Sequence, residues 1–170
     1  RRAEAAEVQA RDELARSEAW YRAMVDHLHE GVTLSRADGT WLANESAHRI
    51  LGLSLAHLTG SEPMPDGWLA TTADGTPLAL RDLPVNVTRR TGETIRDRLI
   101  GQHLPGGEFG WRLVSTQPIP SLTVPGRRDV VASFVDVTAQ IETERALARE
   151  HAALVEAQAI ARIGSWRLDL

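Results

Sequence analysis

The 170-residue sequence predicts an α+β domain, a five-stranded antiparallel sheet with helices on one face, flanked by long N- and C-terminal helices. Three observations predict it. Short apolar runs come in the order strand, strand, a helical middle, then three strands, with Gly and Pro at the breaks. Both ends of the chain are Ala-, Glu- and Arg-rich segments without internal Pro. Between Asp129 and Gln140 the β-branched run Val130, Val131, Ala132, Phe134, Val135 and Val137 turns helical with no loop between.

Composition narrows the function. With 19 basic against 23 acidic side chains the net charge is −4, which argues against a nucleic-acid partner and gives no case for an anionic membrane surface. Cysteine is absent, so no disulfide, thiolate metal site or thiol nucleophile exists. No apolar run reaches the length of a bilayer span and no signal peptide opens the chain, so the expected location is cytoplasmic. The pattern starts and stops in mid-element, and a longer parent protein is expected.

Arg1 to Glu30 predicts one continuous helix stopped by Gly31. Along it Ala3, Glu7, Ala10, Leu14, Ser17, Tyr21, Met24 and Leu28 keep coiled-coil spacing, making Leu14, Tyr21, Met24 and Leu28 candidates for an interface with a second copy. An amphipathic helix whose Trp20 to Leu28 segment covers its own sheet is the other reading. Val32–Ser35 and Thr40–Ala43 read as strands joined at Asp38-Gly39. Asn44 caps a helix with Ala47, Ile50 and Leu51 on one face, ended by Gly52.

From Ser61 to Thr91 four prolines leave short pieces, with Gly67–Ala70 and Leu83–Arg90 as helical turns and Asp74-Gly75 as another turn. Thr94–Ile100, Phe109–Gln117 and Val130–Val137 complete the sheet. Pro105-Gly106-Gly107 turns the first of them into the second, and Pro118–Arg128 is a connection. Ala139 to Ala161 is a second long helix: Ile141, Ala148 and Val155 repeat at sevens, beside Leu147, Leu154 and Ala161. Ile141 and Ala148 are the interface candidates there, against the reading of a plain solvated connector.

Two stretches carry a family resemblance. ADGTWLANESAHRILGLSLAHLTG, residues 37–60, is similar to the opening half of a PAS domain, with Gly52 and Gly60 matching its spaced glycines. Asp136-Val137-Thr138, between a strand and a charged helix, resembles the PAS exit motif, and Ile163-Gly164-Ser165-Trp166 resembles the start of another such domain. The resemblance implies a signalling helix over 1–29, a PAS domain over 30–138, a linker helix over 139–161 and a further PAS domain from 162. It implies a homodimeric sensory module of a bacterial signalling protein. Asp136 and Thr138 would relay a ligand or conformational signal to an output domain in the same chain, a histidine kinase or a diguanylate cyclase or phosphodiesterase. The alternatives are a ligand-free dimerisation spacer and a flavin- or haem-binding redox or gas sensor.

The register that the resemblance implies directs Arg112, Val114, Thr116 and Phe134 into a cavity. Leu99, Trp68 and Val87 are further ligand-binding candidates, with Leu69 and Leu83 also on the inward side, while Trp111, Leu113, Val131 and Val135 form an outer face that needs a cover. Arg112 reads three ways: it holds an anionic ligand, it pairs internally with Asp97 or Glu108, or it reaches solvent at the strand end. The ligand is expected to be a small anionic or apolar molecule of unknown identity. Covalent flavin photochemistry of the LOV type needs an Asn-Cys pair after Gly60, where this chain has Ser61-Glu62-Pro63; noncovalent flavin stays open. Haem lacks an axial histidine between Ser61 and Thr91, and His48, His57 and His103 read as surface or turn residues with no metal-ligand spacing. No catalytic grouping or phosphate loop appears, so this segment is not expected to be an enzyme.

Overall fold

The computed structural model describes residues 2–165. A first compact unit ends at Asp136 and a second begins at Val137. In the first, α1 (Arg2–Asp26) precedes strands β1 (Gly31–Ser35) and β2 (Trp41–Ala43), then short helices α2 (Glu45–Leu51) and α3 (Leu55–Thr59). Strand β3 (Leu69–Thr71), a 3-10 turn at Leu80–Asp82 and helix α4 (Pro84–Thr91) lead to β4 (Ile95–His103), β5 (Phe109–Pro120) and β6 (Arg128–Asp136). The second unit is α5 (Thr138–Ser165).

The strands form one antiparallel sheet in the order β2-β1-β6-β5-β4-β3. It has six strands, not the expected five. The additional one is β3, in the stretch read as a helical turn: Gly67 turns the chain at φ 84° and Leu69, Ala70 and Thr71 then pair with His103, Gln102 and Gly101. Pro118 and Pro120, expected in a connection, lie within β5 and face Val130 and Arg128 of β6. The last β4 partner on β5 is Thr116, so beyond it the missing proline N–H groups interrupt no ladder on that side.

Local chemistry sets the first half. Asn44 is buried and uses its whole amide: Oδ1 accepts from Ala47 N at 2.8 Å and Val32 N at 2.9 Å, and Nδ2 donates to Val25 O and Glu30 O, both at 2.9 Å. One side chain thus caps α2 and ties down the end of α1 and the start of β1. Gly52 at φ 64° and Gly60 at φ 77° close α2 and α3 in the left-handed region. The tetrapeptide Ala-Asp-Gly-Thr occurs twice, at 37–40 and 73–76, and makes the same turn each time, with Gly39 and Gly75 both at φ 90°. In each, the Asp carboxylate accepts from the Thr backbone, Asp38 from Thr40 at 2.9 Å and Asp74 from Thr76 at 3.1 Å.

Helix α1 ends at Asp26, before the expected Glu30, so Leu28 lies beyond the helix. Gly31 does not stop it; it opens β1, where Phe134 of β6 lies so close that a Cβ on Gly31 would sit 2.1 Å from the ring. Trp20 and Tyr21 are 60% and 59% exposed, so α1 is not the expected cover of the sheet's outer face. Leu14 and Met24 are exposed likewise, as is Ala148 on α5, while Ile141 is half-buried. Helix α5 runs past the expected end at Ala161, through Ile163 to Ser165; Trp166–Leu170, expected to enter a further strand, lie outside the described residues. Among the described residues no helix is long and apolar enough to cross a membrane.

Candidate functional site

The inner face of the sheet, α2, α3, the 61–68 segment and α4 enclose a cavity of about 560 Å³. Cross-strand pairing decides which side chains reach it. Ile100 lies opposite Arg112, Val114 opposite Phe134, and Thr116 opposite Ala132, and all six line the cavity. Arg112, Val114, Thr116, Phe134 and Trp68 are therefore where the sequence placed them, as is Leu83. Ala47, Ile50 and Phe134 form the adjoining packed cluster, with Val114 against it.

Leu99 and Val87 are not on the cavity, and neither is Leu69. Leu99 pairs with Leu113, on the outer face. The cause is a bulge in β4: Ile95 pairs with Thr116, but the next pair is Arg98 with Val114, and Asp97 between them takes φ 48°. The extra residue inverts the alternation, so Ile100 and Gln102 face inward in place of Leu99. On α4 the lining comes from Pro84, Val85, Asn86 and Arg89, and Val87 falls between them. Leu69, on edge strand β3, pairs with His103 and is 39% exposed. On the outer face Trp111 is buried, edge-on to Phe109 with ring centres 5.1 Å apart, while Leu113, Val131 and Val135 are half-buried.

Arg112 is 4% exposed. Its internal partner is neither Asp97 nor Glu108 but Asp136, its cross-strand neighbour on β6, at 3.0 Å from Nη1. Nε donates to Ile50 O at 3.3 Å and Nη1 to Trp111 O at 3.2 Å. Leu51 O accepts from Trp68 Nε1 at 3.1 Å and Gln102 Nε2 at 2.8 Å. The carbonyls that end α2 thus meet three cavity side chains, and a cation sits where the helix end is negative. Burial lowers the Arg112 pKa below the ordinary arginine value, and Asp136 opposes that shift.

Thr116 bonds Thr88 at 2.7 Å, both fully buried. Thr88 Oγ1 donates to Glu93 O at 2.8 Å, so Thr116 is the donor in the pair.

A second guanidinium, missed in the sequence, lines the cavity. Arg89 donates from Nη2 to Ser35 Oγ and lies 5.9 Å from the centre of the Trp41 ring. Its Nε is buried and has no hydrogen-bond partner. Burial lowers its pKa, with buried Asp129 acting in the opposite direction. The one available signal was the spacing of Val85 and Arg89, one helical turn apart.

The histidines are engaged elsewhere. His57 lines the cavity, but Nδ1 meets Ser54 N at 3.1 Å and Nε2 meets Glu62 at 3.3 Å. His48 Nδ1 contacts Leu53 O at 2.8 Å, and His103 packs on Phe109 with ring centres 4.8 Å apart. Among the described residues no three of His, Cys, Asp and Glu form a metal-binding group.

No family model matches this chain, and no curated protein matches it. Solved structures do. The PAS domain of an HTR-like protein from Haloarcula marismortui aligns over 75% of this chain and 98% of its own, with TM-score 0.53 and 14% identity. An RNA-binding light-oxygen-voltage receptor aligns over 86% of this chain and 39% of its own, with TM-score 0.51 and 15% identity. A sensory box histidine kinase/response regulator from Burkholderia thailandensis E264 aligns over 80% of this chain and 98% of its own, with TM-score 0.49 and 14% identity.

Proposed function

From the PAS fold of this chain, we propose that it is a sensory module that works as a homodimer and passes a small-molecule or conformational signal along α5 to an output domain in a longer protein. One observation supports this reading above the others. Arg112, on the cavity wall, is ion-paired to Asp136, the last residue of β6, and α5 begins two residues later at Thr138. A ligand that draws on Arg112 competes with Asp136 for it, and the strand end answers. The cavity supplies the volume of an ordinary small-molecule site. Small differential binding energies are enough to shift a two-state element of this kind. Exposed Leu147, Leu154 and Val155 give α5 an apolar stripe for a second copy.

The chain has no cysteine, so a single Leu147→Cys substitution reports on α5 alone. Disulfide formation between two copies is expected, with a rate that changes about three-fold or more when Arg112→Ala or Asp136→Asn is added. Absence of any cross-link defeats the dimer, and a rate indifferent to both substitutions defeats the relay.

A further inference from the structure

We propose that the cavity takes a neutral molecule whose apolar body carries an O–H or N–H group, and that Gln102 Oε1 accepts from that group. The inference rests on reading the cavity as a ligand site and names the class of ligand. Gln102 lies on β4, is 2% exposed and lines the cavity. Its Nε2 donates to Leu51 O at 2.8 Å. A carbonyl can only accept, so this bond fixes which end of the amide is nitrogen and turns Oε1 away from Leu51. No protein donor reaches Oε1. Among the described residues the one buried side-chain polar atom that is both unpartnered and sealed off is Arg89 Nε. Oε1 is unpartnered without being sealed, and the open space that Gln102 borders is the cavity. Its cross-strand neighbours, Ala70 on β3 and Gly110 on β5, are small and leave room beside the amide. A buried acceptor without a donor is the exception in folded proteins and asks for a reason.

The charges of the lining argue for a neutral ligand. Arg112 is paired with Asp136, Glu62 meets His57, and buried Asp129 acts on the charge of Arg89. Each of these groups already has its counterpart, so an ion that gives up its hydration here finds no uncommitted opposite charge to replace it. An O–H or N–H group also needs an acceptor once it leaves water, and Oε1 is one. The body of the ligand meets Leu53, Leu58, Met64, Leu80 and Leu83, which are apolar and offer nothing to a polar chain. Gln102 and Arg112 hold neighbouring carbonyls at the end of α2, Leu51 O and Ile50 O. A molecule that draws on Gln102 therefore acts on the helix end that Arg112 also bonds.

Isothermal titration of the whole chain with 2-naphthol, 2-methoxynaphthalene and 2-naphthoate tests this. The three share a body, and their substituents are a neutral donor, a neutral acceptor and an anion. Naphthol is expected to bind about five-fold or more tighter than either of the others. Gln102→Met, which keeps the side-chain length and leaves Trp68 on Leu51 O, is expected to bring naphthol and methoxynaphthalene to within about two-fold while methoxynaphthalene affinity holds, with circular dichroism confirming the fold. Should Gln102→Met not fold, the side-chain carbonyl carbon of Gln102 is read by NMR in the unsubstituted chain, where naphthol is expected to shift it and methoxynaphthalene is not. Equal binding of naphthol and methoxynaphthalene, a preference that survives Gln102→Met, a carbonyl signal that does not tell the two apart, tightest binding of naphthoate, or binding of none of the three overturns the assignment. The cross-link assay on Leu147→Cys is independent of these probes, so the relay can stand where the neutral donor falls, and the reverse.

Discussion

Arg112 and Asp136 face each other across the β5–β6 ladder, and their side chains meet at 3.0 Å with the arginine buried and the aspartate half exposed. The pair is unequal. Removing Asp136 leaves a desolvated guanidinium that still has Ile50 O and Trp111 O, whereas removing Arg112 also strips a cap from α2 and opens space in the cavity wall. Asp136→Ala is therefore expected to cost about 1–2 kcal/mol in urea denaturation, reduced by solvent at the aspartate, and Arg112→Ala about 3 kcal/mol. Equal effects from the two substitutions contradict the asymmetry.

Asn44 holds four partners, drawn from α1, the turn after it, β1 and α2. Asn44→Asp keeps the acceptor for Ala47 and Val32 but replaces the two N–H donors with a second oxygen facing Val25 O and Glu30 O. It is expected to destabilise by about 2–4 kcal/mol, and by no less than Asn44→Ala, because a buried carboxylate opposite two carbonyls adds repulsion to the lost bonds. Amide exchange at Val32, whose N–H donates to Asn44 Oδ1, should stay protected in Asn44→Asp and not in Asn44→Ala. The reverse order of stabilities would show that the N-cap bond, not the pair of donors, is what the position supplies.

These residues also show how far the sequence could be read. Asn44, Gly52 and the two Asp-Gly turns were legible because their bonds close over two to four residues, and the backbone demand is local. The inward face of β5 and β6 followed from alternation once a register was set. What failed depended on more distant geometry. Strand β3 has three residues, no alternation and an exposed Leu69, and exists through its partner β4. Leu99 was misplaced because a bulge at Asp97 inverts the parity of β4. The partner of Arg112 lies 24 positions away and is set by the β5–β6 register, in place of the Asp97 or Glu108 expected from the sequence. Arg89 carries no mark in the sequence beyond its place in the Leu83–Arg90 turn, and the approach of Trp41 and Ser35 is visible only in the fold.

Gly31 meets Phe134 more closely than any side chain at 31 would allow, since a Cβ would stand 2.1 Å from Cε2. The ring is packed against Ala47 and Ile50 on one side and borders the cavity on another, so yielding means giving up that packing. Gly31→Ala is expected to destabilise by about 1–3 kcal/mol through overpacking. Combining it with Phe134→Leu should recover part of that loss, a coupling that a double-mutant cycle measures directly. Additive losses would mean that the alanine is accommodated by backbone movement in β1 and not by the ring.

Asp38 and Asp74 occupy equivalent positions in the repeated turn, and both carboxyls are held below the ordinary aspartate pKa, Asp38 chiefly by the Thr40 hydroxyl and Asp74 chiefly by the Thr72 hydroxyl. A carboxyl whose pKa is lower in the folded state than in the unfolded chain stabilises the fold above its unfolded value, and that contribution disappears as pH falls through the folded value. Both turns should therefore be intact at neutral pH and loosen only in acid. In a carboxyl-carbon NMR titration both midpoints are expected below that of an unstructured aspartate. Thr40→Val should raise the Asp38 midpoint and leave Asp74 unmoved, and Thr72→Val should do the converse, because each hydroxyl serves its own turn. Both carboxyls are fully exposed, so added salt should change these midpoints little if the hydroxyl bonds, and not distant charges, set them.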